Sequence, residues 1–284
     1  MTGHECAVVL TAGYGSRMFP VTAAVPKSLM PVANKPVLHY LLADLVAAGV
    51  QDIAIVVDRG DQTIRQYVAG APDVAAALRQ RGWQHKFDAF AAAYGELASA
   101  RFTIIEQDVS SDAYGTAVPA RLAADFVGDR SCFYLSGDDL LMAADGRANV
   151  ADLGDLRSAA EGCRAAMQVT RVPAELAHRY GMVELVAAGA RRQLGSLIEK
   201  SAGAGAATHA NISRYYLPPA AFGLVCAQQP NPATGEVMIT DALLRLAQLG
   251  PVGVSVAAGR YFDCGAIDGW HRANVAMMEL IDAG

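Results

Sequence analysis

The sequence has no uninterrupted apolar run near the ~18 residues that a membrane-spanning helix needs, so no transmembrane segment is expected. Its first residues have neither a basic region nor a long apolar stretch, and no secretory leader is expected. There is no CxxC pair. The five cysteines (Cys6, Cys132, Cys163, Cys226 and Cys264) are scattered and odd in number, which argues against a disulfide framework and against a zinc site. Reduced thiols of this kind suit a cytoplasmic setting. Positive charge is in deficit, with 23 Lys and Arg against 28 Asp and Glu and a net charge of −5. That excludes a general nucleic-acid binder, and a phosphate ligand would have to be met by a few locally concentrated cations. Internal repeats are also missing, and the biased stretch "AGAGAA", Ala202–Ala207, reads as a mobile loop.

A chain of 284 residues can bury a sizeable core, and without a recognisable linker it reads as a single domain over residues 1–284. Hydrophobic residues make up 53%, and many of them are alanines of the kind found on helix surfaces. Short continuous apolar runs at 6–10, 53–57, 102–106, 132–136 and 165–170 predict strands buried on both faces. Between them, helical spacing is expected at 37–48, where Gly49 supplies a stop, and at 62–69, 72–81, 117–126 and 152–161. Strands alternating with helices predict an α/β fold around a Rossmann-like, mostly parallel sheet flanked by helices. Beyond about residue 180 the pattern changes. A hairpin is expected at 182–186 and 193–200, then strands at 212–217 and 252–257 and a helix at 271–281.

The most informative stretch is "TAGYGSRMFPVTAAVPKSLMPV", Thr11–Val32, which follows the first strand. It lacks the GxxxxGK[ST] of a P-loop. It also lacks the third glycine of a dinucleotide-binding loop, because Met18 stands there. What it has is Gly13-x-Gly15-Ser-Arg17 followed by Pro26-Lys27. Glycines let backbone N–H groups approach a triphosphate. Arg17 offers a planar fork for phosphate oxygens and Lys27 a compact charge. The same residues also fit a tight glycine turn beside two surface cations. Similarly, Gly137-Asp138-Asp139 follows an apolar strand at its carboxyl end, where open α/β sheets place ligands. An aspartate there can hold Mg²⁺ or simply cap a turn.

The stretch "LTAGYGSRMFPVTAAVPKSLMPVANKPVLHY" resembles the N-terminal signature of the sugar-1-phosphate nucleotidyltransferases, and most of all the bacterial UTP–glucose-1-phosphate uridylyltransferases. The likeness continues in order through "LSGDDLL" (135–141), "YGMVE" (180–184), "LIEK" (197–200), "EVMITDAL" (236–243) and "YFDCG" (261–265). The resemblance implies transfer of a nucleotidyl group from UTP to glucose 1-phosphate, with dTTP or another nucleotide as the alternative within the family. Outside it, a non-catalytic nucleotide-sugar sensor is the alternative, against which the intact Arg17, Lys27, Asp138, Lys200 and Asp263 argue.

Residue by residue, the resemblance implies that Ala12, Gly13 and Gly15 bind the nucleotide, with Arg17 and Lys27 acting on its phosphates. It implies that Gln107 reads the pyrimidine edge and that Gly115 opens the helix entry beside the base. Gly181 would let the backbone approach the sugar, Glu199 would bind its hydroxyls and Lys200 its phosphate. Asp138 and Asp263 would hold the Mg²⁺ cofactor, while Asp139 orients the loop. The implied partners are UTP, a sugar 1-phosphate and further copies of the chain in a dimer or tetramer. The chain departs from the family pattern at Ser28 and Ser201, in one extra residue between Gln107 and Gly115, and at Ser213, where a glycine is expected.

Overall fold

The structure is a computed structural model that describes residues 5–110, 113–198 and 208–283. Strand β1 (Cys6–Leu10) leads through a glycine loop and three short 3-10 turns to a small ribbon, β2 (Pro31–Val32) and β3 (Lys35–Pro36). There follow α1 (Val37–Ala47), β4 (Asp52–Asp58), α2 (Thr63–Val68), α3 (Pro72–Gln80), α4 (Gln84–Gly95) and β5 (Arg101–Gln107). Next come α5 (Val118–Leu122), α6 (Ala124–Val127), β6 (Cys132–Ser136), β7 (Asp139–Met142), α7 (Val150–Ala159) and β8 (Ala165–Arg171). The hairpin β9 (Met182–Ala188) and β10 (Arg191–Ile198) precedes β11 (His209–Leu217), α8 (Pro219–Cys226) and α9 (Ile239–Leu249). The chain ends with β12 (Val252–Val256), β13 (Arg260–Asp263) and α10 (Ile267–Ala283).

Nine strands form one sheet in the order β5-β4-β1-β6-β11-β8-β12-β10-β9. The pairs β5–β4, β4–β1, β1–β6 and β8–β12 are parallel, whereas β11 runs antiparallel to both β6 and β8. The mixed sheet and the added hairpin agree with the expected fold. Successive residues of the parallel strands serve opposite faces, as the pleat requires. Val8, Val56 and Tyr134 pack under α8 and α9 with Phe222 and Leu243. Val9, Ile55 and Leu135 pack on the other face with Leu38 and Leu41 of α1 and Leu153 and Leu156 of α7. Because both faces are covered, these strands read as continuous apolar runs.

The helix expected at 117–126 is instead two short helices that meet at Ala123. Pro119 sits in the first turn of α5, where its missing N–H costs nothing. Helix α4 carries no buried residue, so no apolar face announces it. The strand expected to run to residue 200 is described only to Ile198. Glu199, Lys200 and the Ala202–Ala207 stretch lie outside the described residues.

A second, two-stranded ribbon positions the acidic residues. β7 and β13 pair antiparallel with Asp139 opposite Asp263. Helix α10 packs Ala273, Ala276 and Met277 against Leu140, Met142 and Phe262 of this ribbon. The ribbon therefore carries a residue from near the chain's C-terminal end to the mouth of the parallel strands.

Candidate active site

The site is built where β1 and β6 end. Thr11 and Ala12 donate their backbone N–H groups to the Val56 carbonyl at 2.9 and 3.0 Å, which ties the loop after β1 to β4. Gly13 and Gly15 both take positive φ, 134° and 61°. The Thr22 hydroxyl donates to the Gly15 carbonyl at 2.8 Å, and Arg17 then lies in the first 3-10 turn. Its guanidinium grips Asp263 in a fork, Nη1 to Oδ2 at 2.7 Å and Nη2 to Oδ1 at 3.2 Å. Lys27 Nζ pairs with Asp138 Oδ2 at 2.8 Å, and Ser136 Oγ donates to Asp138 Oδ1 at 2.5 Å. Two cations from the N-terminal loop thus neutralise two carboxylates from separate strand ends.

Exposure separates the two pairs. The Arg17 side chain is 54% exposed, so it can leave Asp263 for a ligand with little desolvation cost. Lys27 and Asp138 are mostly buried. Burial opposes the Lys27 charge, but the Asp138 carboxylate beside it outweighs this and raises the lysine pKa. Burial would likewise lift Asp138, yet Lys27, Ser136 and Arg17 together hold it below the usual carboxylate range. Asp139 goes the other way. Burial, with Asp138 and Asp263 close by, pushes its pKa well up. The Tyr261 hydroxyl donates to Asp139 Oδ1 at 2.6 Å.

These groups face one cavity of about 530 Å³, whose lining includes Arg17, Lys27, Ser136, Asp138, Gly181 and Asp263. Arg17, Lys27, Asp138, Asp139, Gly181 and Asp263, all assigned roles from the sequence, therefore meet there. Ala12, Gly13, Gly15, Gln107 and Gly115 are not among its lining residues. Gln107 stands two strands away at the end of β5, and its buried Oε1 has no hydrogen-bond partner among the described residues. Gly115 has φ 124°, and a β-carbon there would press on the Val237 backbone. Its glycine is thus required for the close approach that lets Ala117 N donate to Val237 O and Val237 N to Tyr114 O, both at 2.8 Å.

Sequence reasoning missed several lining residues, among them Thr116, Tyr180, Asn211, Tyr215 and Thr240. Tyr180, Thr240 and Tyr261 lay inside recognised blocks, but no local pattern marks which member of a block faces the cavity. Ser213 also lines it, at φ 53° in a bulge of β11. Asn211 Oδ1 holds that bulge by accepting from Ser213 N at 3.1 Å. The glycine that the family expects there would take this backbone without strain. Ser213→Gly is expected to raise stability by about 1 kcal/mol, read from urea unfolding; a loss of stability would show that the bulge is not strained.

The site suits a divalent ion that brings its own remaining ligands. Among the described residues no three His, Cys, Asp or Glu side chains are grouped to hold an ion. Mg²⁺ is commonly bound by one or two carboxylates together with phosphate oxygens and water. Asp138 and Asp263 supply two such oxygens. Gly265 keeps the space beside Asp138 Oδ2 and Arg17 Nη2 open, since a β-carbon would collide with both. The residues present therefore fit the ion.

Comparison with known proteins identifies the family. Residues 6–279 match the family described as Nucleotidyl transferase. The chain belongs to that family. Among curated relatives of this family member, the UTP–glucose-1-phosphate uridylyltransferase of Bacillus subtilis is 29% identical over 91% of this chain and 86% of that protein. The enzyme of the same name from Pseudomonas aeruginosa is 29% identical over 92% of this chain and 91% of that protein. A solved structure of UTP-bound UGPase from Acinetobacter baumannii superposes with a TM-score of 0.81 at 23% identity, covering 98% of each chain. At that identity the superposition establishes the fold. In this family member no described helix is long and apolar enough to cross a membrane.

Proposed function

We propose that this protein transfers the uridylyl group of UTP to glucose 1-phosphate, giving UDP-glucose and pyrophosphate. The observation that carries the reading is the pairing of Arg17 with Asp263 and of Lys27 with Asp138 in one cavity at the ends of parallel strands. The named uridylyltransferase relatives support the choice of nucleotide and sugar.

In this reading a phosphate oxygen of the sugar 1-phosphate attacks the α-phosphorus. The new P–O bond forms as the bond to the β-phosphate oxygen breaks, and pyrophosphate leaves with that electron pair. The attacking oxygen is already ionised, so no general base is needed. Catalysis is then positioning and charge neutralisation. Asp138 and Asp263 would hold Mg²⁺, which when bound neutralises phosphate charge and aligns the phosphates. Arg17, being exposed and ending in a fork, swings from Asp263 to the triphosphate. Lys27 stays close to Asp138 and neutralises charge near the α-phosphate. Gly181 presents backbone to the sugar. Glu199 and Lys200 are proposed for the sugar hydroxyls and its phosphate on the family likeness alone.

Nucleotide choice is testable. On the family likeness, Gln107 reads the pyrimidine edge, and its amide offers both an acceptor for the N–H that uracil presents between two carbonyls and a donor for a carbonyl. Adenine presents a different edge and would leave polar groups unpaired, which costs orders of magnitude in kcat/KM. Thymine adds one methyl group, worth about 1–3 kcal/mol at most. Pyrophosphate release from a panel of nucleotides should therefore rank UTP first, dTTP second and ATP far behind. ATP or CTP ahead of UTP would overturn the base assignment and leave the transferase reading standing.

A further inference from the structure

We propose that Arg214 is a positioning residue for the acidic turn of the active site, and that it belongs to a buried cluster, joined by charge at Asp44 and by hydrogen bonds elsewhere, that grips both arms carrying the catalytic carboxylates. This rests on the transferase reading. Arg214 is fully buried in the middle of the sheet, on β11 between β6 and β8. The bulge at Ser213 turns Ser213 and Tyr215 into the cavity, so Arg214 points to the opposite face, toward α1 and α7. There its Nη2 donates to the Asp139 carbonyl at 3.5 Å, while Nε and Nη1 have no hydrogen-bond partner among the described residues.

A buried cation with unmade hydrogen bonds does not serve stability well. Well-packed apolar side chains in place of such groups are often neutral or stabilising. Its placement makes sense through what surrounds it. The Arg214 charge acts on the carboxylates of both Asp44 and Asp139. Asp44, on α1, is itself buried, and its Oδ2 has no hydrogen-bond partner among the described residues. Asp44 Oδ1 accepts from Asn149 N at 2.6 Å, and Asn149 Nδ2 donates to Asp152 Oδ2 at 2.6 Å. Asp152 then accepts from the backbone N–H groups of Ala258 at 2.8 Å and Gly259 at 2.9 Å. Those two residues lead directly into β13 and Asp263.

The network thus has two ends. Arg214 holds the start of β7 at Asp139, next to Asp138, and Asp152 holds the approach to β13. Asp44 and Asn149 stand between them, and Arg214 acts on Asp44 through charge alone, since no hydrogen bond joins the two among the described residues. Buried, mutually polarising hydrogen bonds of this kind have few alternative arrangements. The network consequently sets the spacing of Asp138 and Asp263 without touching substrate. Support of this kind, one layer behind the reacting groups, is what keeps a constellation within a fraction of an ångström of its working geometry.

The test uses Arg214→Met, which keeps most of the volume and removes the charge and the donors. At saturating UTP and glucose 1-phosphate, kcat is expected to fall by about 30-fold, with both KM values within about threefold, as expected for displaced catalytic groups. Amide hydrogen exchange is expected to speed up about tenfold in residues 137–142 and to stay unchanged in β1 and β4. Arg214→Lys, which retains the charge with a shorter reach, should recover part of both losses, and it decides the same two readouts if the methionine variant does not fold. A kcat within threefold of the parent, or faster exchange spread over the whole sheet, would mean that Arg214 only fills the core. If the parent protein releases no pyrophosphate from any nucleotide, the transferase reading fails, and the exchange measurement alone decides the positioning role.

Discussion

Asp138→Asn is expected to lower kcat for pyrophosphate release by about 10³-fold, or about 4 kcal/mol of transition-state stabilisation. The substitution keeps shape and removes one negative charge from the centre of the site. Two consequences follow from the geometry. The ion proposed for this site loses one of its two protein carboxylates. Lys27, mostly buried and paired to Asp138 at 2.8 Å, loses its counter-charge. An uncompensated buried charge costs stability, on the order of 3 kcal/mol. The melting temperature should therefore fall along with the activity, and turnover must be measured well below it. Asp263→Asn should show the activity loss with a smaller stability loss, because its partner Arg17 is already half exposed to water. Asp138→Asn retaining more than a tenth of parental kcat at limiting Mg²⁺, while folded, would remove Asp138 from the chemistry.

Gly265→Ala is expected to cost at least about 100-fold in kcat/KM with a stability change of about 1–3 kcal/mol. The added methyl group would collide with Asp138 Oδ2 and Arg17 Nη2. Arg17 is exposed at its tip and can move aside. Asp138 cannot, because Lys27 holds one carboxylate oxygen and Ser136 the other. The overlap is therefore relieved by shifting the carboxylate that the reaction needs. Gly265 does not require positive φ, so the backbone itself accepts alanine. Parental turnover in a folded Gly265→Ala protein would show that Asp138 is free to move, which contradicts its place as a fixed ligand.

Comparison of particular elements shows where sequence reasoning stopped. The strands at 6–10 and 132–136 appear with the expected bounds, because burial on both faces writes itself as a continuous apolar run. Helix α1 ends before Gly49, whose φ of 87° suits a stop. Helix α9 buries Ile239, Leu243 and Leu246 on one face at helical spacing, a signal that the motif at its start obscures. Helix α4 has no buried face and left no such signal.

The sequence by itself determined the alternation of strands and helices, the glycine loop with its two cations, and the ordered blocks that mark the family. These are legible because each depends on residues near one another in the chain. Only the tertiary structure decided that Asp139 stands opposite Asp263. The ribbon pairs Asp139 with Asp263 through a register set by α10 packing on Leu140 and Phe262, and no local spacing encodes it. The raised pKa of Asp139 likewise arises from burial beside two other carboxylates. Arg214 reads in the sequence as an ordinary charged residue in a strand. A bulge one residue before it and the helices packed over it make it the buried centre of a polar network, because burial and partners are properties of the fold rather than of the residue.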